Sequence, residues 1–135
     1  MGCRLLLGGL GLTLFDRQTQ GYFTVSTPKD KLILGLDWNL DQIGVNVKQT
    51  RYGKWASLNN TPSSDQFYGA KWITDVEVGY DVTPAARVSV GAYNIFDTYP
   101  DRNTVPNTIG SSIYGSNSPF GAYGGYYYAR LSLKR

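Results

Sequence analysis

The chain has 135 residues, enough for one ordinary domain, and charged residues make up 17% of it, against the roughly 25% usual for soluble domains. One cysteine, Cys3, excludes an internal disulfide, and the lack of histidine excludes Ser-His-Asp and Cys-His catalysis and histidine metal sites. The net charge of +3 comes without a basic stripe, which argues against a nucleic-acid partner, and no run of about 18 apolar residues predicts a membrane helix.

Residues 1–12, MGCRLLLGGLGL, fit three interpretations. Arg4 before an apolar run is typical of a short signal peptide, although glycines interrupt the run and no small-residue cleavage site follows. The segment is also compatible with a strand remnant and with an arbitrary start inside a longer reading frame. We therefore assign no role to 1–12 and expect the organised part of the chain to cover 13–135.

Five segments alternate apolar and polar residues, the period of strands with one apolar face. In chain order they are 31–40, 43–52, 70–82, 86–96 and 126–135, and a sixth strand within 5–26 is left open. Asp41 and Gln42 form a two-residue hairpin loop between the first pair, and Pro84 marks a tight turn between the third and fourth segments. No segment has a helical period. The sequence therefore predicts an all-β fold, an antiparallel up-and-down meander of five or six strands.

Two long polar stretches, 53–69 and 97–122, predict loops that alternate with the short turns. The charged residues of the strands fall on the polar stripes, and the apolar stripes carry charge only at their ends, at Arg51 and Arg135. Aromatic residues cap the apolar stripes at both ends: Trp38, Trp72, Tyr80 and Tyr127.

This combination favours a segment of a transmembrane β-barrel, which has an apolar outside, a polar inside, aromatic girdles, and short turns opposite long loops. Taken alone, five or six strands would form an open sheet. A soluble, lectin-like β-sandwich binding module predicts the same alternation, because one of its faces is core and the other faces water. It stays the alternative, although it does not predict aromatic girdles.

Several strings, in order, resemble the C-terminal barrel region of TonB-dependent outer-membrane receptors. They are STPKDKLILGLDW, TRYG, YGAKWITDVEVGYDVTP, VSVGAYNIFDTYPDR and SPFGAYGGYYYARLSLKR. The resemblance covers residues 13–135 and implies the last quarter or so of a 22-stranded barrel. Receptors of this family take up scarce ligands such as ferric siderophores or cobalamin. Without the family's plug and TonB box, the chain is expected not to transport alone.

The resemblance also implies a location and a set of partners. The location is the outer membrane of a Gram-negative bacterium. The partners are outer-membrane lipid, the rest of the receptor barrel and its plug, the TonB complex through the missing N-terminal part, and the barrel-assembly machinery. Family members usually end on an aromatic residue, and Arg135 departs from that pattern.

The resemblance places the long loops outside the cell, because the terminal strand should end in the periplasm. Four loop residues are candidate ligand contacts: Tyr99, Arg102, Tyr114 and Phe120. A solvated loop without a ligand is the alternative for each. No nucleophile and base lie in a catalytic arrangement, and we expect no enzyme, cofactor or metal site. Asp75 and Glu77 are expected to pair with lumen cations rather than to act in catalysis.

Overall fold

The computed structural model describes residues 16–104 and 113–133. Its elements are α1 (Arg17–Thr24), β1 (Lys31–Leu40), β2 (Ile43–Tyr52), β3 (Trp55–Ser57), a 3₁₀ turn (Pro62–Ser64), β4 (Gln66–Tyr68), β5 (Lys71–Thr83), β6 (Ala86–Tyr93) and β7 (Tyr126–Leu133). The expectations for 1–12 and for Arg135 concern residues outside the described part. Among the residues described, no helix combines the length and apolar content that crossing a bilayer requires.

The described residues form two compact units. The sheet unit comprises residues 31–52, 71–99 and 123–133. The loop unit comprises residues 16–30, 53–70, 100–104 and 113–122.

Five antiparallel strands form the sheet of the sheet unit, in the order β1-β2-β5-β6-β7. Leu40 pairs with Ile43, so Asp41 and Gln42 form the two-residue loop that the sequence predicted. Asp41 has a φ of 48°, the left-handed conformation that such loops demand and that Asp tolerates. Thr83 pairs with Ala86 across the second tight turn, beside a local irregularity in β5. The predicted antiparallel meander is therefore confirmed as an open, five-stranded sheet.

The strand register collects apolar side chains into rows that cross the whole sheet. One row consists of Leu36, Val47, Val76, Ala92 and Tyr127, and the row beside it of Trp38, Val45, Val78, Val90 and Ala129. A third row consists of Leu40, Ile43, Tyr80, Val88 and Leu131. Because side chains alternate between faces along a strand, all three rows lie on one face of the sheet.

The all-β prediction was wrong for α1, an eight-residue helix in the region where a sixth strand was left open. Its only clear sequence signal is Asp16, whose side chain accepts a hydrogen bond from the Thr19 backbone N–H and caps the helix. The sequence RQTQGYFT carries few apolar residues and a central glycine, so it shows no helical period. Gly21 is buried and lies so close to Leu58 that a larger side chain would collide with it.

The first long loop also contains structure that its composition did not predict. β3 and β4 pair into a two-stranded sheet, with Trp55 opposite Tyr68. Each strand has three residues, too few for a period of two to be recognised. Trp55, Ala56 and Tyr68 are buried, so this pair provides the core of the loop unit.

Candidate functional site

The apolar face of the sheet unit is exposed. Leu36 and Leu131 are 65% and 63% accessible, and most large side chains of the three apolar rows are similarly open. All ten residues of β1 are exposed. A continuous apolar surface of this kind marks a membrane, a ligand or a protein contact, because soluble monomers rarely leave one open. The face is therefore the first candidate site.

The opposite, polar face carries the strand charges, and they meet in pairs across neighbouring strands. Lys48 Nζ lies 3.1 Å from Asp75 Oδ2, and Arg130 pairs with Glu77. The Tyr128 hydroxyl donates to the same Glu77 carboxylate. The expectation of ion pairing for both carboxylates is thus met, with Lys48 and Arg130 as the cations.

Arg87, a third cation on the polar face, pairs with Asp81, its direct partner across the β5–β6 hairpin. Arg87 Nη1 lies 3.3 Å from Asp81 Oδ2. The guanidinium lies over Gly44 and Gly79, and a side chain at either position would have to displace it. These two glycines leave the space that lets a long cation lie flat on the polar face.

The loop unit holds three of the four predicted ligand contacts. Arg102 and Tyr114 face each other in an isolated antiparallel bridge. The Phe120 ring packs edge-on against Trp55, with 6.0 Å between ring centroids. Arg102 and Tyr114 are thus brought together by the backbone, whereas Phe120 joins the aromatic core of the unit.

Tyr99, the fourth predicted contact, belongs to the sheet unit and is 36% exposed. It lies in the segment after β6, where the Asn94 side chain accepts from the Thr98 N–H and donates to the Thr98 carbonyl. Its phenol lies close to Gly124, a residue with a φ of 71°. Whether Tyr99, Arg102, Tyr114 or Phe120 contacts a ligand stays a prediction.

A pocket of about 310 Å³ lies within the loop unit. Its polar lining comes from Gln18, Ser57, Asn59, Ser64, Gln66 and Ser116. Two tyrosines, Tyr22 on α1 and Tyr68 on β4, complete most of the wall. Neither Tyr22 nor Tyr68 was singled out by sequence reasoning, because the lining comes from segments that are far apart in the chain.

Hydrogen bonds to the segment 59–65 hold α1, which forms one wall of this pocket. Arg17 donates to both carboxylate oxygens of Asp65, at 2.6 and 2.5 Å, and to the Asn59 carbonyl at 2.5 Å. Asp16 accepts from the Asn60 amide at 2.8 Å, and the Asn60 oxygen accepts from the Gln18 N–H at 3.1 Å. The helix is therefore fixed to the loop at its first turn.

Two carboxylates and one guanidinium lie beside the pocket, and hydrogen bonds within the protein hold all three. Hydrogen bonds from Arg17 and from the Asn59 backbone lower the pKa of Asp65 from its usual 3.8 to about 2. Hydrogen bonds from Thr19 and Asn60 likewise lower the pKa of Asp16. Both carboxylates are ionised near neutral pH, and Arg17 is committed to Asp65.

The aromatic core lies behind Tyr68. The Tyr68 ring stacks on Trp55 with 5.1 Å between centroids, and its hydroxyl lies 2.7 Å from Asn103 Oδ1. Burial raises the pKa of the Tyr68 phenol, which therefore stays protonated and donates to Asn103. Gly115 lies directly against the Tyr68 phenol and leaves no space there for a side chain. Trp55, Asn103 and Gly115 therefore hold the Tyr68 side chain in place.

Comparison with protein-family models, with curated proteins and with solved structures found no match to this chain. Within residues 16–104 and 113–133, no group of three or more acidic, cysteine or histidine side chains could hold a metal ion. The chemistry of the described site residues is that of contact surfaces: an open apolar face, a charge-paired polar face and a neutral polar pocket.

Proposed function

We propose that the sheet unit is a segment of a transmembrane β-barrel wall in the outer membrane of a Gram-negative bacterium. One observation carries the proposal: an exposed apolar face lies back to back with a face whose charges are paired. In water the apolar face would be costly, whereas lipid is its natural surrounding. The paired charges then face the lumen, where water and protein can solvate them.

The strand lengths support this proposal. A ten-residue strand such as β1 is about 34 Å long at about 3.4 Å per residue. Tilted by about 40°, it rises about 26 Å, close to the roughly 25 Å apolar band of outer-membrane barrels. Trp72 and Trp38 lie near opposite ends of their strands, where aromatic girdles meet the lipid headgroups.

The open edges of the sheet indicate what must complete it. Within the sheet, β1 and β7 each pair on one side only, and five strands are fewer than the eight of the smallest membrane barrels. Unsatisfied backbone groups are not tolerated in lipid, so further strands must pair with these edges. We propose that these strands are the rest of the receptor barrel, and that a five-stranded sheet does not transport alone.

The receptor class is proposed from the resemblance of the strings in 13–135 to TonB-dependent receptors. In such a receptor the polar face would meet the plug, and energy would come from the TonB complex. The long connections leave the sheet beside the Tyr52–Lys71 and Tyr93–Tyr126 pairs, at the end we propose faces outside. The loop unit would then meet scarce ligands before uptake. The barrel-assembly machinery would insert the closing strand.

The test is refolding of the full chain from denaturant into buffer and, in parallel, into phospholipid vesicles. We expect aggregation in buffer, because the apolar face and both edges are open. In vesicles, where the edges of neighbouring copies can pair, we expect β-structure that floats with the lipid in a density gradient. A monodisperse, soluble monomer with the same β content would contradict the proposal. That result would favour the lectin-like β-sandwich module instead.

A further inference from the structure

We propose that the pocket of the loop unit binds a neutral, polyhydroxylated ligand of the saccharide class. The inference names a ligand chemistry for the receptor proposed above and rests on that proposal for its biological role. Binding itself requires the loop unit alone, since every lining residue belongs to it.

The lining chemistry selects for neutral polar ligands. Apart from Leu58 and Gly115, the lining residues carry amides, hydroxyls and phenols, which both donate and accept hydrogen bonds, and no lining residue carries a charge. Sugar hydroxyls need partners of this dual kind. Phosphates, carboxylates and anionic metal chelates are bound instead by Arg and Lys, and Arg17 is already engaged with Asp65.

Part of this polar lining is available to a ligand. Gln18 and Tyr22 are four residues apart on α1, so they lie on the same face of the helix. Among the described residues, no hydrogen bond uses the side chain of Gln18, Tyr22 or Ser57. Tyr22 is 50% exposed, and its ring offers a surface on which the C–H groups of a sugar can stack.

Other parts of the lining are held in place by contacts within the protein. Gln66 Oε1 accepts from the Thr104 N–H at 3.0 Å and from its hydroxyl at 3.1 Å. Tyr68 is fixed by Trp55 and Asn103, and α1 by the Arg17–Asp65 pair. A preorganised wall lowers the entropic cost of binding. With about 310 Å³, the pocket is at the small end of ligand sites and fits one or two sugar units.

The experiment uses the full chain folded in detergent micelles or vesicles and saturation-transfer NMR. The neutral probes are maltose, lactose and sucrose, and ferric citrate is the anionic probe. We expect at least one disaccharide to bind. Tyr22→Ala and Gln18→Leu should each weaken that binding about tenfold, because one removes the ring and the other the amide.

Phe23→Ala is the matched control, because Phe23 is the next residue on α1, is 77% exposed and does not line the pocket. It should leave binding unchanged. The inference is overturned if no disaccharide binds to folded chain, if both pocket variants bind like the wild type, or if ferric citrate displaces the sugars. Vesicle flotation of the vesicle samples tests the membrane proposal separately. Failure of the saccharide proposal can therefore be distinguished from failure of the membrane proposal.

Discussion

The two units of this chain distribute polar and apolar side chains in opposite ways. In the loop unit, Trp55 is 3% exposed and stacks on buried Tyr68, so this aromatic pair forms an enclosed core. In the sheet unit, the leucines, valines and tryptophans are outside, and charged groups pair on the other face. Under the proposed function, the first arrangement suits water and the second suits lipid. We therefore expect the two units to respond differently to the same type of substitution.

The largest difference in stability between the two units should come from replacing one tryptophan in each by alanine. Trp55→Ala should lower the local stability of the loop unit by about 3–5 kcal/mol, because it leaves a cavity against Tyr68 and Phe120. Trp72→Ala, in β5, should cost much less, since that ring is open on the apolar face. Hydrogen exchange of the β3, β4 and β5 amides, followed by mass spectrometry, measures both. Equal losses of local stability in the two variants would contradict the assignment of an enclosed core to the loop unit and an open apolar face to the sheet unit.

Adding one charge to each face of the sheet should sharpen the contrast between its faces. Val76→Arg places a cation in the central apolar row, and we expect a loss of about 2–4 kcal/mol in the free energy of unfolding from vesicles. Asn46→Arg places the same cation on the polar face, opposite Asp37 and Glu77, and should change stability by less than about 1 kcal/mol. Denaturant titration in vesicles gives both values. The facing of the strands is wrong if the two penalties match.

Acid should affect the loop unit through Asp65. Its pKa is about 2 when folded and 3.8 ordinarily, so its contribution is complete above pH 3.8 and is lost as the pH falls through about 2. We expect protection of the loop-unit amides to fall over this window. Asp65→Asn should lower protection at neutral pH and flatten that fall, whereas Asp41→Asn, in the β1–β2 turn, should do neither. An unchanged acid profile in Asp65→Asn would show that the Arg17 pair does not hold α1.

Much of the sheet could be predicted from the sequence, because alternation is a local signal. Alternation of polar and apolar residues up to the Asp41–Gln42 turn predicts strands 31–40 and 43–52 with their observed bounds. Alternation alone predicts that β6 runs to Phe96, whereas the strand ends at Tyr93. There Asn94, with a φ of 51°, turns the chain out of the sheet.

The loop unit could not be predicted in the same way, because its structure depends on contacts between distant segments. Arg17 and Asp65 are 48 residues apart, and Tyr68 and Asn103 are 35 apart. The alternation of polar and apolar residues along the sequence does not predict contacts between residues so far apart. Asp16, which caps the helix, is the one local signal that could reveal α1. The pocket beside the helix also needs residues from the distant segment 57–66, which no local signal places there.

The most direct test of the central claim measures the surroundings of two adjacent residues. Leu36 lies on the apolar face and Asp37 on the polar face of β1, and both are exposed. Cys3→Ser chains carrying Leu36→Cys or Asp37→Cys are labelled with an environment-sensitive fluorophore and folded into vesicles that contain spin-labelled lipid. We predict blue-shifted, strongly quenched emission at position 36 and red-shifted, weakly quenched emission at position 37. Equal emission and quenching at the two positions would contradict the lipid-facing assignment of the sheet.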